Sequence, residues 1–243
     1  MRTILKSTMI VAFLFFGTTE ITAQWSNEKV VGNGNVTTNT VSTADYSAIK
    51  GIGSIDIHLE KGTEGNIRVE TDSNLQEYVE IEVEDGALKI STRRNVSLKS
   101  KKGIHVYVPF MDIEAISVTG SGDIDSKDTV KEDELKIRVT GSGDVKLAVD
   151  TNELEVKITG SGDVMVSGRS KDLEISITGS GDFEGNSLSA ETAKAKVSGS
   201  GNASVNVSDY LNARVFGSGN INYAGNPDKR DTKVSGSGRI SSN

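Results

Sequence analysis

Few residues in this chain are able to carry acid–base, nucleophilic or metal chemistry. There are two histidines, His58 and His105, and no cysteine. Both histidines alternate with apolar neighbours, the pattern of a solvent-facing strand position rather than of a general base held in a cleft. Without cysteine there is no thiolate nucleophile, disulfide, thiolate metal ligand or lipid-modified cysteine. A nucleophilic serine needs a base, and no local motif pairs one with His or Lys. P-loop, dinucleotide and zinc-ligand spacings are absent from the sequence. Catalytic, cofactor and metal residues are therefore not expected.

Four aspartates recur in one context. Asp123, Asp144, Asp163 and Asp182 each follow a Gly-Ser-Gly, and Asn202, Asn220 and Arg239 take that place in the last three copies. Carboxylates stacked ~5 Å apart would repel by ~1 kcal/mol per pair even in water, which a cation would relieve. Calcium-binding β-rolls, however, repeat every nine residues with Gly-Gly-x-Gly-x-Asp, and this repeat is about twice as long with one Asp. Ordinary turn chemistry is the expectation, with each side chain bonding its own backbone. Sugar sites use exposed aromatic platforms, which makes Tyr210, Phe216 and Tyr223, in adjacent repeats, a candidate ligand patch. The same three side chains would also serve to fill a tapering core.

What positions these residues is a repeat. Gly-Ser-Gly occurs seven times, bounded by Gly120 and Gly122, Gly141 and Gly143, Gly160 and Gly162, Gly179 and Gly181, Gly199 and Gly201, Gly217 and Gly219, and Gly236 and Gly238. A β-branched stretch precedes each copy, and apolar and polar residues alternate between copies, as in half-buried strands. Each repeat of about 19 residues reads as strand, fixed turn, strand and a second turn of variable length. The variable turns include Asp150-Thr151-Asn152, Gly168-Arg169-Ser170 and Gly225-Asn226-Pro227. Neither strand can bury its apolar face alone, so successive repeats must stack as an all-β, two-sheet parallel β-helix. The fixed glycines are structural, and a binding surface is expected at the variable turns or on a sheet face.

Residues 1–23 read as a signal peptide, with Arg2 and Lys6, the apolar run Met9–Phe16 and a cleavage site after Ala23. Export, to the periplasm, the outer-membrane surface or beyond, follows. Residues 24–118 form a strand-rich N-terminal part and 119–243 the Gly-Ser-Gly coils. In the N-terminal part, Val79–Glu84 and Ala87–Ser91 flank Asp85-Gly86, a hairpin signal. Gly51 to Asp56 reads as a degenerate copy of the later turn, and the basic stretch from Arg93 to Gly103 as an exposed loop. The formal net charge of −7 gives no footprint for nucleic acid or anionic lipid. The mature part has no apolar run long enough to span a bilayer.

Three features occur together: the export-type start, the Gly51–Asp56 strand entry with the Glu84–Ile90 hairpin, and the serial Gly-Ser-Gly-Asp/Asn turns. In combination they resemble the bacterial autotransporter adhesin, head GIN domain family over about Val30 to Arg239. The resemblance implies a right-handed β-helix related in shape to pectin lyases, and a role in cell adhesion. No C-terminal membrane barrel follows the repeats, so self-anchoring is not expected. The leading expectation is a non-enzymatic surface-binding module whose partner is a glycan or a surface protein. A polysaccharide-acting enzyme and a self-associating structural envelope module are the alternatives.

Overall fold

The computed structural model describes residues 28–242, so residues 1–23, expected to be a signal peptide, lie outside the described residues. The N-terminal strands are β1 (Glu28–Val31), β2 (Val36–Ser42), β3 (Ala48–Gly53), β4 (Asp56–Lys61), β5 (Asn66–Asp72), β6 (Val79–Glu84), β7 (Ala87–Thr92), β8 (Val96–Lys99), β9 (His105–Phe110) and β10 (Ala115–Gly120). Then come the long strands β11 (Ile124–Gly141), β12 (Val145–Gly160), β13 (Val164–Gly179), β14 (Phe183–Gly199) and β15 (Ala203–Gly217). The chain closes with β16 (Asn220–Ala224), β17 (Lys229–Gly236) and β18 (Arg239–Ser242). Together they build a β-solenoid of about 7 turns with coils of ~19 residues.

Stacking is parallel and in register. β12 lies on β13 from Val145↔Val164 to Gly160↔Gly179, so nearly every residue meets its counterpart one coil away. Alternation then sorts the side chains. Val145, Leu147 and Val149 on one leg of a coil, and Leu154, Val156 and Ile158 on the other, are all at most 3% exposed. One expectation needs correction. The variable corner does not interrupt the strand, because pairing continues through it as Asp150↔Arg169 and Thr151↔Ser170. Neighbouring coils satisfy the corner's backbone groups, so it needs no turn-closing bond of its own. Length differences are absorbed as register shifts, such as those between Met165 and Gly168 and between Gly185 and Ser189.

The degenerate turn is where the stack starts. Gly53 sits in register under Gly120, and the Ser121 and Gly122 N–H groups both donate to Gly53 O, as every later turn does to the coil before it. Beyond this turn the strands change direction. The β6–β7 hairpin is antiparallel, with Asp85 at φ 51° and Gly86 at φ 73°, as an Asp-Gly two-residue turn requires. On the other leg β5 pairs antiparallel with β2 and β9. These strands cover the first coil and protect its edge. The stretch from Arg93 to Gly103 is not only a loop: β8 within it pairs in parallel with β1. Buried Asp72 ties this arm down, accepting from the Gly34 N–H at 2.5 Å and the Ser100 hydroxyl at 2.5 Å.

At the far end β17 is exposed along its length, and Val234, whose counterpart Val215 is buried, is 41% exposed. Lys229, Arg230, Asp231 and Lys233 stud this strand, a charge load that opposes edge-to-edge pairing. Among the described residues no helix is long and apolar enough to cross a membrane.

Candidate functional site

The fixed turns are built by the glycines and stitched by the residue after them. The Asp144 N–H donates to Asp123 Oδ1 at 2.9 Å, Asp163 N–H to Asp144 Oδ1 at 2.8 Å, and Asp182 N–H to Asp163 Oδ1 at 2.8 Å. Asn202, Asn220 and Arg239 continue the series. The carboxylates thus bond the next coil rather than their own backbone, which corrects the local-turn expectation. Asn202 and Asn220 also donate their side-chain amides down the column, at 3.1 and 2.9 Å. The column is a fastening along the solenoid edge.

The outer face of the second leg is a different surface. Register aligns Lys50, Ser117, Arg138, Lys157, Ser176, Lys196, Arg214 and Lys233 in one outward column. Neighbours in such a column stand ~4.8 Å apart. Lys157 pairs with Glu155 and Arg214 with Asp231. Among the described residues Arg138, Lys196 and Lys233 form no ion pair within 4.0 Å. Four positions earlier runs an acidic column of Glu134, Glu153 and Asp172. Between the columns Glu155, Glu174 and Lys194 help line an open, polar depression of about 390 Å³. The face is therefore flat, charged in stripes and repetitive, suited to an extended partner rather than to a small enclosed substrate.

The aromatic candidates do not converge. Tyr210 and Phe216 lie on this same outer face, six residues apart along β15, a span of ~20 Å. Phe216 is 42% exposed, with the Lys196 ammonium 5.7 Å from its ring centre. Tyr223 instead points inward from β16, 8% exposed, and its hydroxyl accepts from Arg230 Nη1 at 2.9 Å.

The variable corner carries Glu132, whose Oε1 accepts the Ile113 N–H at 2.7 Å. Burial pushes its carboxyl above the ordinary range, outweighing that bond, and Asp112, Glu114 and Asp133 add to the rise. A raised carboxyl favours the fold fully below the unfolded value and loses that contribution as pH rises through the folded value. Glu132→Gln keeps the acceptor and removes the charge. The variant is expected to be more stable than wild type at pH 7, by less than about 1 kcal/mol given the site's solvent screening. The gain should vanish as pH falls through the carboxylate range, which urea melts at pH 7 and pH 4 will show.

His58 and His105 lie on the outer face of the first leg. Their side chains are 25% and 29% exposed, and the rings stack with centroids 5.3 Å apart. Alternation found their outward direction. It could not find their meeting, which depends on β9 lying beside β4.

Residues 45–227 match the family described as "Putative auto-transporter adhesin, head GIN domain". Among solved structures, a putative adhesin from Bacteroides fragilis is similar with a TM-score of 0.82 at 22% identity, covering 88% of this chain and 100% of that one. A putative adhesin from Parabacteroides distasonis is similar with a TM-score of 0.73 at 29% identity, over 89% of this chain and 100% of its own. A putative lipid binding protein from the same species gives 0.70 at 25% identity, over 89% and 100%. No curated protein matches the chain.

Proposed function

Since the chain belongs to the autotransporter adhesin, head GIN domain family, we propose that it is an exported, non-enzymatic surface-binding module. Its partner is an extended anionic polymer, such as a uronate-bearing or sulfated glycan, lying along the second leg. The observation that carries this reading is the outward basic column, in which Arg138 and Lys157 and, past Ser176, Lys196, Arg214 and Lys233 stand at one-strand spacing. A polyanion with regularly spaced charges would meet several of these cations at once, and weak contacts then add. Phe216 beside Lys196 offers a face on which a sugar ring can stack. Lipid binding, the description of one P. distasonis neighbour, finds less support, because apolar side chains fill the coils and the 390 Å³ depression on this face is lined mainly by charged side chains.

The test is binding of the mature chain to immobilised anionic polysaccharides, neutral glycans and matrix proteins. Arg138→Glu with Lys196→Glu is expected to weaken binding to the anionic class about tenfold or more, taking ~1 kcal/mol per exposed charge contact. Binding should also fall with rising salt. Unchanged binding of the double variant overturns the role of the column. No binding to any class overturns the adhesive reading.

A further inference from the structure

We propose that His58 and His105 form an exposed binding site for a borderline divalent transition ion such as Zn²⁺, Cu²⁺ or Ni²⁺. Three strands bring the parts together. β4 supplies Asp56 and His58, its parallel neighbour β9 places His105 opposite Asp56, and β11 places Asp125 opposite His58.

The donor spacing fits an ion. His58 Nε2 and His105 Nδ1 face each other at 3.1 Å. A tetrahedral ion with metal–nitrogen bonds of ~2.0–2.1 Å holds its ligand nitrogens roughly 3.3 Å apart. Asp56 Oδ2 lies 3.8 Å from the same His105 nitrogen, while Asp56 Oδ1 accepts the Asp123 N–H. A small rotation of this half-exposed carboxylate brings Oδ2 towards the same point. Among the described residues no group of three or more His, Cys, Asp or Glu side chains is already spaced as a cage. The ion accordingly takes two protein nitrogens first, and water fills its remaining positions.

The far side of each ring is prepared as metal-binding histidines require. His58 Nδ1 is 2.7 Å from Asp125 Oδ2, and His105 Nε2 donates to the Lys102 carbonyl at 2.8 Å. Ligand histidines give their second N–H to a carboxylate or a carbonyl, which fixes the tautomer and aims the other nitrogen at the ion. Gly103 leaves room for this placement, since a Cβ there would stand 2.9 Å from His105 Nε2. The Tyr107 ring, itself covered by the Arg68 guanidinium, lies 5.0 Å from the His58 ring.

With His58 Nδ1–H given to Asp125 and His105 Nε2–H to Lys102, both facing nitrogens present lone pairs to an ion. Ligation needs both as lone pairs, so acid competes with the ion.

Calorimetric titration of the chelator-stripped mature chain with Zn²⁺, and separately with Ca²⁺, tests the proposal. One equivalent of Zn²⁺ is expected to bind at pH 7.5, more weakly at pH 5.5, with no corresponding Ca²⁺ binding, since calcium takes oxygen ligands. His58→Ala and His105→Ala should each abolish the saturable step. Asp125→Asn should weaken it about 10- to 100-fold. Thermal melts confirm that these surface variants fold, and imidazole NMR signals of both rings should move on Zn²⁺ addition to wild type. Absence of stoichiometric Zn²⁺ binding, binding that survives both alanine variants, or imidazole signals that stay in place would each overturn the site. None of these readouts depends on the polymer-binding face.

Discussion

Gly160→Ala is expected to cost about 4 kcal/mol or more, enough to leave a large fraction of the chain unfolded at 37 °C. Gly160 sits at φ +125°, a conformation that only glycine adopts freely. A Cβ there would stand 2.2 Å from Gly141 O in the coil below. That oxygen accepts from the Ser161 and Gly162 N–H groups at 2.8 and 3.2 Å. Moving it to make room loses both bonds, about 1 kcal/mol each, on top of ~1–2 kcal/mol of backbone strain. The remainder comes from parting two tightly stacked coils, each stabilised chiefly by its neighbours.

Two other glycines separate these causes. Gly86 also has positive φ, but a Cβ there would meet nothing within 4 Å, so Gly86→Ala should cost only the strain. Gly236 has the same clash as Gly160, 2.2 Å from Gly217 O, but lies in the last coil. That coil can lift without parting two halves of the stack, so Gly236→Ala should cost roughly half as much or less. Urea melts followed by circular dichroism will order the three. A Gly160→Ala midpoint within about 1 kcal/mol of wild type would refute the close-stacking account.

The legible part of the molecule was the part that repeats. The Gly-Ser-Gly period and the inward–outward alternation gave coils, stacking and core, because each coil's nearest neighbour is a near-copy of itself. The same logic identified Gly51 to Asp56 as a worn copy, with Ile55 in the place of Gly122. Contacts between coils or between unlike strands escaped. Local turn chemistry sends the Asp144 side chain to its own backbone, whereas the Asp163 N–H in the next coil is the nearer unsatisfied donor. Val96 and Leu98 do alternate, but flanking lysines and the short run hid β8, whose partner β1 lies far off in sequence. The His58–His105 pair needed β9 threaded beside β4, a topology that no period announces. Tyr223 stays ambiguous in the sequence because an aromatic at a strand position does not declare its face without register.

Phe183→Ala is the core substitution expected to do most harm, about 3–5 kcal/mol. Phe183 is 1% exposed, in an inward column where Val145 and Val164 lie on one side and Ala203 and Ile221 on the other. Its ring runs forward along its own strand over Gly185, where a Cβ would fall 2.5 Å from Cε1. The opposite leg of the same coil is unusually small: Ala193 and Ala195 stand where the previous coil has Leu173 and Ile175. A phenyl group on one leg and alanines on the other keep the coil's volume close to that of its neighbours, which close packing demands. Removing the ring leaves a void that rigid ladders on both sides cannot collapse, so the cost should lie above that of a typical core truncation. Phe183→Leu should recover most of it, leaving about 1.5 kcal/mol or less. If the ring offsets the small residues opposite, Ala195→Ile added to Phe183→Ala should restore stability, while the same change alone overfills the coil. That double-mutant cycle should show a coupling of about 1 kcal/mol or more. Additive effects would mean that the two legs of the coil do not trade volume.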